Sequence, residues 1–275
     1  SVNTVSPHHA WEAHHTDVGC GLSHTIDLHQ NKYRGILNGI DDNFWNPQND
    51  RYIPEHYSID NIDAKTKNKK ALRERLLLRE VDKPIVAYIG RLDAQKGVHL
   101  VHHSIYHALA KDAQYVLLGS ATGADINAQF QYEKNYLNHN PDVHLELSFN
   151  EELAHLIYAG ADMIVVPSNY EPCGLTQMIG LKYGTVPIVR AVGGLVNTVF
   201  DRDYETGKPP EKRNGYVFND MDYHAVDFAM ERALWLWYNE KDEYRMLMKQ
   251  GMECDYSWNN PGSEYLDIYE SIRDK

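Results

Sequence analysis

Cysteine is scarce here. Cys20, Cys173 and Cys254 are odd in number, far apart and in no metal-ligand spacing, which excludes a disulfide framework and fits a reduced intracellular compartment. Long apolar runs are missing too: none approaches the roughly 18 residues of a membrane-spanning helix. Positive charge is short. Lys and Arg number 27 against 39 Asp and Glu, a formal charge of -12 that argues against nucleic acid or an anionic membrane as the main partner. Phosphate binding would therefore rest on a few local cations. No phosphate loop of the GxxxxGK type occurs, and Ser168 lacks the flanking glycines of a nucleophile elbow, so kinase and hydrolase readings are poor. No repeat or low-complexity tract appears. What remains is 275 residues with 43% hydrophobic content, enough for the core of one large or two small domains.

The most informative stretch is Pro167 to Gln177, PSNYEPCGLTQ, directly after the apolar run Met163-Ile164-Val165-Val166. That run is short, β-branched and uncharged, as expected of a buried parallel strand. Pro172 and Gly174 predict a turn, and Leu175, Met178, Ile179 and Tyr183 recur at helical spacing. In an open α/β sheet, ligands sit outside the carboxyl ends of the strands, where loop and helix amides can meet an anion. Glu171 adds a carboxylate able to accept hydrogen bonds from hydroxyl groups. The combination suits a ligand both phosphorylated and polyhydroxylated, such as a nucleotide-sugar.

Around it the chain alternates. Strands are expected at Ile85 to Ile89, Tyr115 to Leu118, Val143 to Leu147, Met163 to Val166 and Val186 to Val189. Helices are expected at Val98 to Lys111, Asp125 to Asn138, Glu151 to Ala159 and Leu175 to Tyr183, with a short one from Gly194 to Phe200. Gly90 to Gly97 reads as a loop and Gly119-Ser120 as a turn. This period predicts an α/β fold with a doubly wound parallel sheet. Upstream, Lys65 to Arg79 reads as a surface helix with Leu72, Leu76 and Leu77 at helical spacing, and residues 1 to 60 as a strand entering a loop across a cleft. Asp201 to Asn214 reads as a charged surface loop, and from Asp222 an apolar stripe through Val226, Met230, Ala233, Leu234 and Trp237 predicts helix. No targeting segment is read at the start; the chain opens in alternating β-type residues, and the expectation is a fragment of something longer.

Each candidate has a plainer reading. Arg91 and Lys96 could grip a diphosphate from a strand-to-helix loop, or be solvated surface charges. Glu171 could be an ordinary helix cap, and Gly193-Gly194 a simple turn. Of the 15 histidines, His8, His9, His14 and His15 cluster near the start, while His102, His103 and His107 share one helix. Only His103 and His107 have the i, i+4 spacing of paired metal ligands, with no Glu after the first as a metalloprotease requires; surface histidines are the preferred reading and no metal is expected.

Four segments together resemble one family: TVSP at Thr4 to Pro7 with GILNGID at Gly35 to Asp41, GRLDAQKG at Gly90 to Gly97, PSNYEPCGLTQ, and GGLVNTVFD at Gly193 to Asp201. They resemble the ADP-glucose-dependent starch and bacterial glycogen synthases, retaining glycosyltransferases of the GT-B type with two facing Rossmann-like domains. Arg213-Asn214-Gly215-Tyr216 and the Trp-rich tail look more like the soluble plant and algal starch synthases of classes III and IV. The resemblance implies that the chain is the C-terminal, donor-binding half. Residues 1–60 would end the N-terminal domain and cross between domains, 61–256 would form the Rossmann-like donor domain, and 257–275 a C-terminal helix.

By the same resemblance, Arg91 and Lys96 grip the donor diphosphate, and Glu171 stands near the donor glucose. The amides around Cys173, Gly174 and Leu175 and the hydroxyl of Thr176 face glucose and phosphate. Phe149 lies beside the adenine, Gly119, Gly193 and Gly194 border the donor, and Asn38 and Asp41 belong to the segment near the cleft. Related transferases carry a second Glu where Ile179 stands here, with Gln177 nearby, so ribose recognition by a carboxylate is not expected. Arg190-Ala191-Val192 replaces a common Arg-Lys-Thr and implies one cation fewer near the donor. The Lys-x-Gly-Gly-Leu loop that opens these enzymes is not in this sequence.

The implied reaction transfers glucose from ADP-glucose to the 4-hydroxyl of an α-1,4-glucan, without cofactor, the fragment being inactive alone. Other starch-biosynthesis proteins are possible partners, and the implied setting is the plastid stroma, or the cytoplasm if the source is bacterial. A UDP-glucose transferase and a non-catalytic scaffold of the same fold stay open.

Overall fold

The structure, a computed structural model, describes residues 1–273. The chain begins with β1 (Val2–Thr4), α1 (Pro7–His15), α2 (Ser23–Leu28) and β2 (Tyr33–Gly35), and after a long irregular segment enters α3 (Lys65–Leu76). The regular part follows as β3 (Ile85–Leu92), α4 (Val98–Ala110), β4 (Gln114–Ala121), α5 (Ala124–Leu137), β5 (Val143–Glu146), α6 (Glu151–Gly160) and β6 (Met163–Val166). It continues with α7 (Thr176–Lys182), β7 (Val186–Arg190), α8 (Gly194–Thr198) and β8 (Tyr216–Phe218), and ends in α9 (Tyr223–Asn239), α10 (Lys241–Met252) and α11 (Asn259–Arg273).

Six strands form one parallel sheet in the order β5-β4-β3-β6-β7-β8, while β1 and β2 pair separately. Because successive side chains alternate across a strand, β3 feeds both faces. Val86, Tyr88 and Leu92 pack with α4, α5, α9 and α10, whereas Ile85 and Ala87 pack with α3, α6 and α7. Both faces are covered, which is why these strands are nearly continuous in apolar residues.

The expected strands and helices of the alternating part are all present, with shifted ends. The largest shift is at Gly90 and Gly119, expected in a loop and a turn. Both lie within strands, paired as Gly90↔Gly119, Arg91↔Ser120 and Leu92↔Ala121. Absence of a side chain lets the ladder run on: a Cβ at Gly119 would lie 2.6 Å from the Gly90 carbonyl oxygen. Leu77 is not part of the α3 apolar face; it takes a left-handed conformation at φ 58° that ends the helix, and is exposed. β8 was not anticipated, since three residues carry too little pattern. Residues 1 to 60 hold a helix that a strand-and-loop reading overlooks. α1 is rich in histidine and weak in apolar periodicity, but Ser6 caps it by accepting from His9 N–H, and Pro7 occupies its first turn.

At the start of α3, Lys65 is fully buried. Its Nζ donates to the carbonyls of Tyr158 (2.8 Å) and Ala159 (3.1 Å) and to Thr185 Oγ1 (2.9 Å). Burial disfavours the charged form and brings its pKa down to about 7, with Asp162 pulling the other way. Below that value both folded and unfolded chains are protonated at this site. Above it, up to the unfolded value of about 10.4, the unfolded chain binds more protons, so stability rises with pH across that window. Urea unfolding followed from about pH 7 to about pH 9 should therefore show a steeper rise in midpoint for the wild type than for Lys65→Met; parallel curves would refute the assignment.

Candidate active site

Strands are laid down outward from β3 through β4 to β5, and the chain then returns to place β6 on the other side of β3. That reversal is a topological switch point, where doubly wound sheets open a crevice at the carboxyl ends of the strands. The pairing shows the opening directly. β3 pairs with β4 over eight positions but with β6 only at Val86↔Met163 and Ala87↔Ile164. Beyond Ala87 the two strands part, and the segments leaving them carry Arg91 and Lys96 on one side and Ser168 to Gly174 on the other.

The charged side chains meet across this gap. Lys96 Nζ lies 2.5 Å from Glu171 Oε2, and Ser168 Oγ donates to the same oxygen at 2.8 Å. Glu171 is buried and Lys96 partly so, which makes this a fixed pair rather than a solvated one. The helix-cap reading of Glu171 fails: α7 begins at Thr176 without any side-chain cap. Arg91 is different. Its side chain is 51% exposed and is held by the largely buried Asp93 at 2.8 Å and by the partly buried Gln95 at 3.2 Å.

The two loops are also joined through backbone. Asn169 N–H and Tyr170 N–H both donate to the Gln95 carbonyl, at 2.9 and 3.2 Å, and Gln95 Nε2 donates to the Tyr170 carbonyl. Gly97 has φ 68°, and a Cβ there would sit 2.1 Å from the Pro167 carbonyl oxygen. Glycine is thus required twice over at the point where the loops touch.

Next to Arg91, a cavity of about 310 Å³ is lined by Gly119, Ser120, Phe149, Trp45 and Tyr158 among others. It brings together Arg91, Gly119 and Phe149; the Phe149 ring is 87% exposed, its face free for stacking.

The glycine pair and Cys173 lie behind the Glu171 loop. Burial pushes the Cys173 thiol up to about 11, opposed by a hydrogen bond from the Asn38 backbone, so it stays protonated and is no nucleophile. A Cβ at Gly193 would meet the Glu171 carbonyl oxygen at 1.9 Å, and one at Gly194 the Cys173 carbonyl oxygen at 1.9 Å. Their amides are engaged inside the protein: Gly193 N–H donates to Glu12 Oε1 (3.0 Å) and Gly194 N–H to the Glu171 carbonyl (3.0 Å). Close packing, not an open turn, explains the pair. Gln177 fills the space under Gly174, donating to the carbonyls of Cys173 and Gly174 and to Thr198 Oγ1. Leu175 is exposed at the turn, and Ile179 is buried against the sheet. Asp41 caps its own turn, accepting from Asn43 and Phe44 N–H.

Local periodicity in residues 1–60 does not show that α1 belongs to this site. Besides Glu12, Ser6 Oγ donates to the Pro172 carbonyl at 2.5 Å and Tyr170 hydroxyl lies 3.2 Å from His9 Nε2. The Ser-Pro start of α1 was the only available signal. Arg190 is not idle either: its guanidinium donates to the carbonyls of Ser168, Asn169 and Asn219, fastening the carboxyl ends of β6, β7 and β8.

A larger cavity, about 550 Å³, lies at the amino ends of the strands, lined by Lys65, Lys69, Lys70, Lys241 and Arg245. Each of these cations has a partner within the chain, as Arg91 and Lys96 do; the switch point makes the stronger claim because it lies at the carboxyl ends of the strands, where doubly wound sheets bind ligands.

Comparison with known proteins finds a family model, relatives and similar structures. The family model described as Glycosyl transferases group 1 matches residues 68–249. The chain is 71% identical over 275 residues to a probable glycogen synthase 2 of Nostoc sp. and 70% identical to a glycogen synthase 1 of Trichormus variabilis, covering all of this chain and 56% of each relative. Among solved structures it resembles the catalytic domain of starch synthase IV from Arabidopsis thaliana bound to ADP and acarbose, with a TM-score of 0.97, 38% identity, and coverage of 100% of this chain and 56% of that one. The chain thus spans about half the length of these relatives. The fold is accordingly that of the C-terminal domain of a GT-B glycosyltransferase.

Gly97→Ala should force the Lys96 loop off Pro167. Chemical denaturation should report a loss of ~1–3 kcal/mol, the range for strain in a left-handed position, and a loss within ~0.5 kcal/mol would contradict the close contact.

Proposed function

The chain belongs to the glycosyl transferases of group 1, and from that membership we propose that it is the donor-binding half of a glycogen synthase taking ADP-glucose and extending an α-1,4-glucan at its 4-hydroxyl. The observation that carries the reading is the convergence of Arg91, Lys96 and Glu171 on the crevice between β3 and β6. The ADP-containing complex of the Arabidopsis neighbour favours ADP over other nucleotides. The bacterial relatives favour glycogen as product and a bacterial cytoplasm over the plant and algal classes and plastid stroma suggested by the sequence details.

The chemistry follows from charge. As the glycosidic bond to the diphosphate breaks, negative charge grows on the phosphates and positive character on the anomeric carbon. Arg91, released from Asp93, and Lys96 would stabilise the first; fixed groups of this kind are worth ~10²–10³ in rate each. Ser168 and Lys96 both engage Oε2 of Glu171, which leaves Oε1 to accept from a glucose hydroxyl. Phe149 would stack on the base, with Gly119 and Gly90 admitting the ligand close to the backbone. The backbone amides of Cys173, Gly174 and Leu175 have no acceptor among the described residues and would face the glucose and phosphate. Transfer would retain configuration by a front-face, ion-pair-like displacement, no double-displacement nucleophile being evident. No metal or cofactor has a part in this reading. The acceptor would approach from the half of the enzyme these 275 residues do not include.

Calorimetric titration with ADP, UDP and GDP tests the donor: ADP should bind in preference, and a preference for UDP would favour a UDP-sugar transferase instead. Arg91→Ala and Lys96→Ala should each weaken ADP by about tenfold or more, equivalent to ~1.4 kcal/mol; unchanged affinity in both removes them from the site. The full-length enzyme given ADP-glucose and a glucan primer should elongate it, whereas a scaffold would elongate nothing.

A further inference from the structure

Helices α4 and α9 lie against each other on one face of the sheet, and a polar cluster breaks the apolar seam between them. His103 and His107 stand one turn apart on α4, on the same side. Asp227 of α9 projects between them, its Oδ1 2.7 Å from His103 Nε2 and 3.0 Å from His107 Nδ1. The three ligand atoms all fall within 4.8 Å of one another, and all three residues are partly buried.

Surrounding groups hold this arrangement in place. The His103 ring stacks on Tyr223 with centroids 4.2 Å apart and planes 12° from parallel. Glu231, one turn after Asp227, places Oε1 3.7 Å from His107 Nε2 and is itself held by Lys111 Nζ at 2.9 Å. His107 Nε2 is buried with no hydrogen-bond partner. With a neutral ring, hydrogen bonding within the cluster leaves this nitrogen unpaired. If neutral His107 gives its Nδ1 proton to Asp227, its other nitrogen presents a buried lone pair toward a carboxylate.

A cation at Nδ1 instead places the ring proton on Nε2, which faces Glu231 Oε1 at 3.7 Å, the kind of carboxylate that stands behind a metal-bound histidine. We propose that His103, His107 and Asp227 bind a divalent transition-metal ion such as Zn²⁺, clamping α4 to α9 with Glu231 orienting His107. Two imidazole nitrogens with one carboxylate suit zinc, cobalt or nickel rather than the all-oxygen preference of calcium and magnesium. Ligand distances of about 2.1 Å place tetrahedral ligand atoms about 3.4 Å apart, so Asp227 Oδ1, now 2.7 and 3.0 Å from the two histidine nitrogens, would move away from them by about 0.4–0.7 Å. The fourth position is left to water. The site lies in the helical layer, away from the crevice between β3 and β6, and is a structural clamp with no part in the transfer.

Zn²⁺ titrated calorimetrically into the chelator-stripped chain should show one saturable site and raise the melting temperature. Asp227→Asn keeps size and hydrogen bonding, and with His103→Gln should abolish that binding and the metal-dependent rise in melting temperature. Glu231→Gln should weaken it ~10–100-fold. His14→Gln, which removes one member of the separate His14–Asp27 pair, should leave it unchanged. Co²⁺ in the same site should give the visible absorption of a four-coordinate complex, lost in Asp227→Asn. Absence of saturable binding, or binding unaltered in both Asp227→Asn and His103→Gln, overturns the proposal and leaves the cluster a hydrogen-bonded staple.

Discussion

The parting of β3 from β6 is the constraint on which the rest of this structure depends. Two adjacent parallel strands paired at only two positions have edges that diverge, and the divergence sits where the order of strands reverses. Everything chemical is arranged around that wedge. One loop brings Arg91 and Lys96, the other brings Ser168 and Glu171, and neither alone makes a pocket. Backbone bonds from Asn169 and Tyr170 to Gln95 fix how far apart the loops stand, and Gly97 fixes how closely they touch.

The two cations on this edge are held differently. Lys96 is locked to a buried carboxylate, while the Arg91 side chain is half exposed and keeps room to move away from Asp93. A phosphate entering the crevice would find one charge already oriented and one able to follow it. This division agrees with an overall acidic protein, in which a local pair of cations, rather than a general field, must attract an anion.

Buried polar groups hold the outer segments to the sheet. Asp50 accepts from Tyr183 hydroxyl at 2.6 Å and pairs with His155 at 2.7 Å, and Trp45 stacks on the His155 ring. Burial pushes the Asp50 carboxyl up, but bonds from His155, Tyr183 and the Tyr52 amide outweigh it and hold the pKa below the ordinary range. The segment before α3 is thus pinned to α6 and α7 by a buried polar network in which His155 Nε2 alone has no partner among the described residues, as Glu12 pins α1 to Gly193.

The sequence by itself determined the alternating strands and helices, because buried parallel strands and amphipathic helices leave different apolar periods over short windows. It also marked Arg91, Lys96 and Glu171 as a set through their motifs, though not their contact. Tertiary structure alone decided that Glu171 pairs with Lys96 and does not cap a helix, since that depends on two residues 75 apart in the chain being brought together where β3 and β6 become neighbours. It alone gave Gly90 and Gly119 to a strand ladder, brought Glu12 and His9 to the site, and set Asp227 between His103 and His107. In each case the deciding interaction joins residues remote in sequence, and local periodicity carries no information about such a meeting.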